Sequence, residues 1–190
     1  MQLPELKLKP IKRISPSAFS RLQSCQLRVV LGATIKRPLL PYMPVNHLGD
    51  VIHKMLELNY TGFIEDDQAF EKQWSRLIKA EEKKLNDRGF HKFIPISENV
   101  DGYAMKKLQT RSMLRQPPKA DSSVIRSTSW KIESEKWLQS KDSTVGGIAD
   151  LILRSAQTAT IADFKTGKIR DGDGEIKGEY KDQLKLYAFL

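Results

Sequence analysis

Cysteine is almost missing from this sequence: Cys25 is the only one in 190 residues. A lone thiol excludes an internal disulfide, and it excludes any four-cysteine metal site built from this chain alone. A reducing, cytoplasmic setting is therefore the expectation. Long apolar runs are missing as well. No stretch approaches the ~18 apolar residues of a membrane span, so no membrane partner is expected. The opening segment Met1 to Pro10 has no apolar core of secretory-leader length. Internal repeats and long low-complexity linkers are also missing, which leaves one domain of ordinary size as the simplest organisation.

What the sequence does have is positive charge, unevenly placed. Residues 1–60 carry 9 basic and 3 acidic side chains, residues 61–120 carry 12 and 9, and residues 121–190 carry 11 and 11. A basic front joined to a neutral, carboxylate-bearing back suits a polyanion held near an acidic centre. The plain alternative is a solubilising surface. The Lys83–Lys84 and Lys106–Lys107 pairs read first as solvated helix faces, and second as phosphate contacts.

The pattern along the chain is helical first. Ser15 can cap a helix with Pro16 at its first position, and that helix is expected to run to Gly32. Pro38, Pro41 and Pro44 impose a loop. A second helix is expected from Asn46, where Leu48, Val51, Ile52, Met55 and Leu56 form a stripe of helical period; Thr61-Gly62 ends it. Residues 65–88 read as a surface helix and 97–114 as another, closed by Pro117-Pro118. Strands follow: one or two over 124–138, one over 145–153 and one over 159–164. A glycine-rich loop covers 166–178, and Glu179 to Leu190 is helical.

The last two strands carry the chemistry. A turn centred on Ala156–Gln157 sets Asp150 opposite Asp163, with their Cβ atoms ~4.5–5.5 Å apart on one face. Lys165 lies two residues on and shares that face. Opposed carboxylates destabilise a hairpin unless positive charge sits between them. Two readings stand open from the residues: a divalent cation, since hard oxygen ligands suit Mg²⁺ or Mn²⁺, or a salt-bridged Asp–Lys pair on the surface.

The segment Gly147-Ile148-Ala149-Asp150 … Ile161-Ala162-Asp163-Phe164-Lys165-Thr166-Gly167 resembles the PD-(D/E)XK nuclease superfamily. It is most similar to the RecB-like branch, which includes helicase-associated exonucleases and CRISPR adaptation nucleases. Gly49-Asp50-Val51-Ile52-His53, followed by Leu56-Glu57, matches that branch's G-x-x-x-H helix. Gln183-Leu184-Lys185-Leu186-Tyr187 matches its Q-x-x-x-Y motif. Ser15-Pro16-Ser17-Ala18-Phe19 with Cys25 matches its N-terminal segment. The motifs stand in the family's order over nearly the whole chain.

The resemblance implies an α/β fold. Its core is restriction-endonuclease-like, with a mixed central β-sheet flanked by helices and an N-terminal helical portion over 1–120 ahead of a sheet core over 121–190. It implies one nuclease domain over 1–190, and relatives usually continue past this last helix with another strand or helix. His53, Asp150, Asp163 and the backbone carbonyl of Phe164 resemble the metal ligands for Mg²⁺ or Mn²⁺. Lys165 resembles the lysine that activates the attacking water. Glu133 or Glu135 corresponds to a further acidic residue; they share strand parity, so both stay open. Gln183 and Tyr187 share one helix face and resemble residues that contact the nucleic acid strand.

Cys25 reads as a small buried hydrophobe. Some relatives use a cysteine here as one iron–sulfur ligand with three more after the last helix; without those three, no cluster is expected in this chain. The implied activity is metal-dependent hydrolysis of DNA phosphodiesters, at ends or single strands, in repair, recombination or defence. The alternative is a non-catalytic nucleic-acid-binding subunit of a larger helicase or defence complex.

Overall fold

The fold was obtained as a computed structural model, which describes residues 7–35, 42–60, 62–115 and 131–190. Seven α-helices, one 3-10 turn and three strands occur among these residues. Pro38, Pro41, Thr61, Pro117, Pro118 and residues 124–130 of the strand or strands expected over 124–138 lie outside them.

The N-terminal helix is two helices, α1 (Pro16–Ser24) and α2 (Gln26–Thr34), and not the single one expected to Gly32. Ser15 caps α1 as expected, its Oγ accepting from the Ala18 amide at 3.2 Å. The break falls at Cys25, which is extended at φ −159° and ψ 95°. Ser24 donates its hydroxyl back to the Arg21 carbonyl at 3.1 Å, a local bond that competes with helix continuation. The expectation of a buried Cys25 is also corrected: the thiol is exposed, because the break turns it outward from either helix.

Helix α3 (Pro44–Tyr60) buries the expected stripe, with Leu48, Val51, Ile52, Met55 and Leu56 all inside. It ends in a left-handed Gly62 at φ 79°. The amides of Gly62 and Phe63 bond back to Asn59 and Leu58, a paired C-terminal cap that glycine alone adopts without strain. Helix α4 (Asp67–Asp87) is capped by Asp66, whose Oδ1 accepts from Ala69 at 2.7 Å. Its inner face buries Phe70, Trp74, Ile78 and Leu85. A buried aromatic of this size contributes roughly 1.5–3 kcal/mol, and the Trp74 indole is not left unpaired: it donates to the Tyr103 hydroxyl at 2.7 Å.

The helix expected over 97–114 is interrupted. Residues Ile96–Asn99 form a short turn (α5), and α6 (Tyr103–Leu114) starts only after Gly102 at φ 69°. The Asp101-Gly102 pair makes the turn, and its glycine takes a conformation that a continuing helix forbids. Helix α6 is tied to α4 by Lys107 and Arg111 to Glu71 and by Arg115 to Asp67.

Strands β1 (Lys131–Gln139), β2 (Gly146–Arg154) and β3 (Ala159–Ala162) form an antiparallel sheet in the order β1-β2-β3. A parallel element is the bridge between Ile14 and Val145. Helix α7 (Gly178–Phe189) follows and packs on β3 and on α1. The whole is α/β, consistent with a restriction-endonuclease-like fold.

The chain divides into two compact units. Met1–Leu40, Glu135–Ile152 and Ala159–Leu190 form one; Pro41–Ser134 and Leu153–Thr158 form the other. Thus α1 and α2 belong with α7, β3 and most of β1 and β2, while α3 to α6 belong with the start of β1 and the β2–β3 turn.

Candidate active site

The hairpin register is the expected one. The Ser155 amide donates to the Thr158 carbonyl at 2.8 Å across the Ala156–Gln157 turn. Carried down the ladder, that register sets Asp150 opposite Asp163, one residue beyond the end of β3. The Asp150 carboxylate then reaches across: its Oδ2 accepts from the Phe164 amide at 2.7 Å.

Asp163 and Lys165 form an ion pair at 2.6 Å, with side-chain exposures of 9% and 25%. Helix α7 closes on this pair through Gln183, which is 6% exposed. Its amide nitrogen donates to Asp163 Oδ1 at 2.7 Å, and its amide oxygen accepts from Lys165 Nζ at 3.0 Å. Three side chains thus hold one another in a closed triangle, which locks the rotamers of the carboxylate and the ammonium group together. Tyr180, one turn earlier on α7, was not singled out in the sequence. The Lys165 ammonium lies 5.2 Å from its ring centroid, within cation–π range.

Tyr187 shares the helix face of Gln183, as the spacing predicts, but is 4% exposed. Its hydroxyl donates to the Ile148 carbonyl at 2.6 Å, pinning α7 to β2. Burial pushes its pKa up to about 12, helped by the negative charges of Asp163, Asp150 and Glu135. Both Q-x-x-x-Y side chains therefore spend their polar atoms inside the fold, where the resemblance implies contact with the strand.

Gly147 makes this approach possible. A Cβ there would stand 2.9 Å from Pro16 Cδ and 3.3 Å from the Tyr187 hydroxyl. Only glycine lets α1 and α7 both close on β2.

The two acidic candidates on β1 separate, and the shared parity fails. Glu133 pairs with Arg154 at 2.9 Å and Lys131 at 3.1 Å. Glu135 sits at φ 50°, a left-handed kink that breaks strand alternation. Its charge acts on Tyr187 together with those of Asp150 and Asp163.

His53 lies on α3, in the second of the two units, half-buried beside the apolar stripe. That unit also holds a cluster the sequence reading missed. One ligand atom each from His47, Asp50 and Glu81 lies within 4.8 Å of the other two. His47 Nδ1 is 2.7 Å from Glu81 Oε2, and Lys84 donates to Glu81 Oε1 at 2.5 Å. Burial alone would raise the Glu81 pKa, but the bonds from Lys84 and His47 outweigh it and hold the carboxyl below its usual range. Glu81 is therefore ionised, and His47 donates its Nδ1 proton to it. Burial and the Glu81 charge hold the Asp50 carboxyl above its usual range. The available signal was the helical spacing of His47 and Asp50; Glu81 comes from another helix, and no local spacing reveals it.

Compared with known families, residues 13–190 match the PD-(D/E)XK nuclease superfamily. The chain belongs to that superfamily. PD-(D/E)XK proteins are nuclease-type hydrolases that act on nucleic acid and generally use divalent metal ions. No curated protein and no solved structure gives a match. Among the described residues, no helix is long and apolar enough to cross a membrane.

Proposed function

We propose that the chain is a divalent-metal-dependent deoxyribonuclease of the RecB-like branch, acting on DNA ends or single strands in repair, recombination or defence within the cytoplasm. The observation that carries this reading is the Asp163–Lys165–Gln183 triangle beside Asp150 at the open end of the β2–β3 hairpin. Asp150, Asp163 and the Phe164 carbonyl would hold Mg²⁺ or Mn²⁺, with Glu135 as the further acidic residue. When bound, the ion polarises a phosphoryl oxygen and lowers the pKa of a coordinated water.

The chain's own side chains do the rest. Asp163 holds Lys165 in place through their ion pair, and the partly exposed ammonium faces the negative charge that grows on phosphorus. Gln183 holds both groups in place, so no reorganisation is needed at the moment of reaction. Tyr180 covers one side of the ammonium and limits its swing. A helicase or a defence subunit is the partner class this reading suits.

End-labelled linear, circular and single-stranded DNA, incubated with Mn²⁺, Mg²⁺ or EDTA, test the assignment. Cleavage is expected with either metal and not with EDTA, and Lys165→Ala is expected to abolish it with the fold intact. Cleavage that survives EDTA, or a fully active Lys165→Ala protein, overturns the reading. Binding without any shortening of the DNA points instead to a non-catalytic subunit.

A further inference from the structure

Helix α4 presents Lys72, Arg76, Lys79 and Lys83, all exposed. At ~100° per residue they fall on one side of the helix, opposite the buried stripe of Phe70, Trp74, Ile78, Glu81 and Leu85. Neighbours along this row stand three or four residues apart, where like charges repel and weaken a helix.

The fold does not compensate the row. Among the described residues none of the four forms an ion pair; Arg76 donates only to the Gln73 amide oxygen at 2.8 Å. Elsewhere in the same unit, cations are matched to carboxylates: Lys84 to Glu81, Lys107 and Arg111 to Glu71, and Arg115 to Asp67. Glu82, the acidic residue next to Lys83 in the chain, is drawn off to accept from the Ile96 amide at 2.8 Å. Four unmatched cations in register on one helix face make a continuous strip of positive charge that suits an anion from outside.

We infer that the outer face of α4 is a rail for the nucleic-acid backbone, with Lys72, Arg76, Lys79 and Lys83 each available to a phosphate. The row spans about 16 Å at ~1.5 Å per residue, the length of four or five nucleotide steps of one strand at ~3.4 Å each. Nothing on this face reads base edges, so the contact is independent of sequence and highly sensitive to salt. The inference rests on the nucleic-acid reading above and extends it to a helix that carries none of the proposed catalytic groups.

The test measures the affinity of the full chain for a fluorescent 20-mer, single-stranded and duplex, in EDTA across a salt series. The variants are Lys72→Gln/Arg76→Gln/Lys79→Gln/Lys83→Gln, the half-set Arg76→Gln/Lys79→Gln, and a control that removes four exposed lysines elsewhere (Lys9, Lys12, Lys141 and Lys168). Each lost phosphate contact lowers the slope of log K against log salt by ~0.7 to 0.9. The four-site variant is expected to lose about 3 in slope, the half-set about half of that, and the control much less. Circular dichroism of the four-site variant should show melting at or above the wild-type temperature, because repulsion has been removed. An unchanged slope, or a control that loses as much, overturns the rail; an unchanged slope leaves the row to an acidic protein. Cleavage by the wild type in Mn²⁺ reports on the nuclease reading separately, so either claim can fail alone.

Discussion

Two carboxylates in this protein are each gripped by a lysine and one further polar side chain, with different consequences. Glu81 accepts from Lys84 at 2.5 Å and from His47 at 2.7 Å. Asp163 meets Lys165 at 2.6 Å and accepts from Gln183 at 2.7 Å. Around Glu81 the histidine is 3% exposed and its Nε2 is buried without a partner, while the lysine reaches outward at 56% exposure. The grip there braces α3 against α4. Around Asp163 the third group touches both others, because Gln183 also accepts from Lys165, and the lysine keeps 25% of its side chain in solvent. Around Glu81 both polar groups point at one carboxylate; around Asp163 a closed ring leaves the ammonium group partly in solvent.

The strongest way to break this comparison is Lys165→Ala. It is expected to lower cleavage by about 100- to 1000-fold, the scale of one lost transition-state contact, with little change in melting temperature. A gel assay beside a thermal melt reads both. Glu81→Ala should do the reverse. Breaking a buried charged pair costs about 3–5 kcal/mol, measured by urea unfolding, and activity per folded molecule should stay close to wild type.

Gln183→Ala sharpens the contrast. Gln183 is a positioning residue, so the expected loss is about 10- to 100-fold in kcat, with KM for a short substrate little changed. Equal changes in the two constants would make it a strand contact instead.

The smallest effect belongs to Tyr187→Phe, which leaves the Ile148 carbonyl unpaired at a cost of about 1–3 kcal/mol. Its pH dependence has a definite sign. The folded pKa of Tyr187 stands at about 12 against an ordinary 10.0, so the native state binds the proton more tightly than the unfolded state. The stability this lends is complete below pH 10 and is lost as pH rises toward 12. Denaturation of wild type and Tyr187→Phe from pH 8 to 12 should converge at the alkaline end; parallel curves would mean that the hydroxyl is not buried as described.

Much of this was legible in the residues. The stripe of α3 is a local pattern of period 3.6, so its buried face could be read directly. The hairpin register followed from a two-residue turn. The helix spacing of Gln183 and Tyr187 put them on one face. Helix breaks were less legible. Cys25 and Gly102 interrupt segments whose neighbours all tolerate a helix, and a side-chain bond from Ser24 and one left-handed residue decide the outcome.

Sequence alone determined the hairpin pairing, the identity of the carboxylates and lysine on it, and the excess of positive charge, because each depends on the order and spacing of neighbours in the chain. Tertiary structure decided what those groups do. It turned Gln183 and Tyr187 inward, because α7 closes on a strand that Gly147 leaves bare. It joined Glu81 to His47 across two helices, and it left four cations of α4 without acids. Those outcomes depend on which surfaces meet, and residues far apart in the chain carry no local signal of their meeting.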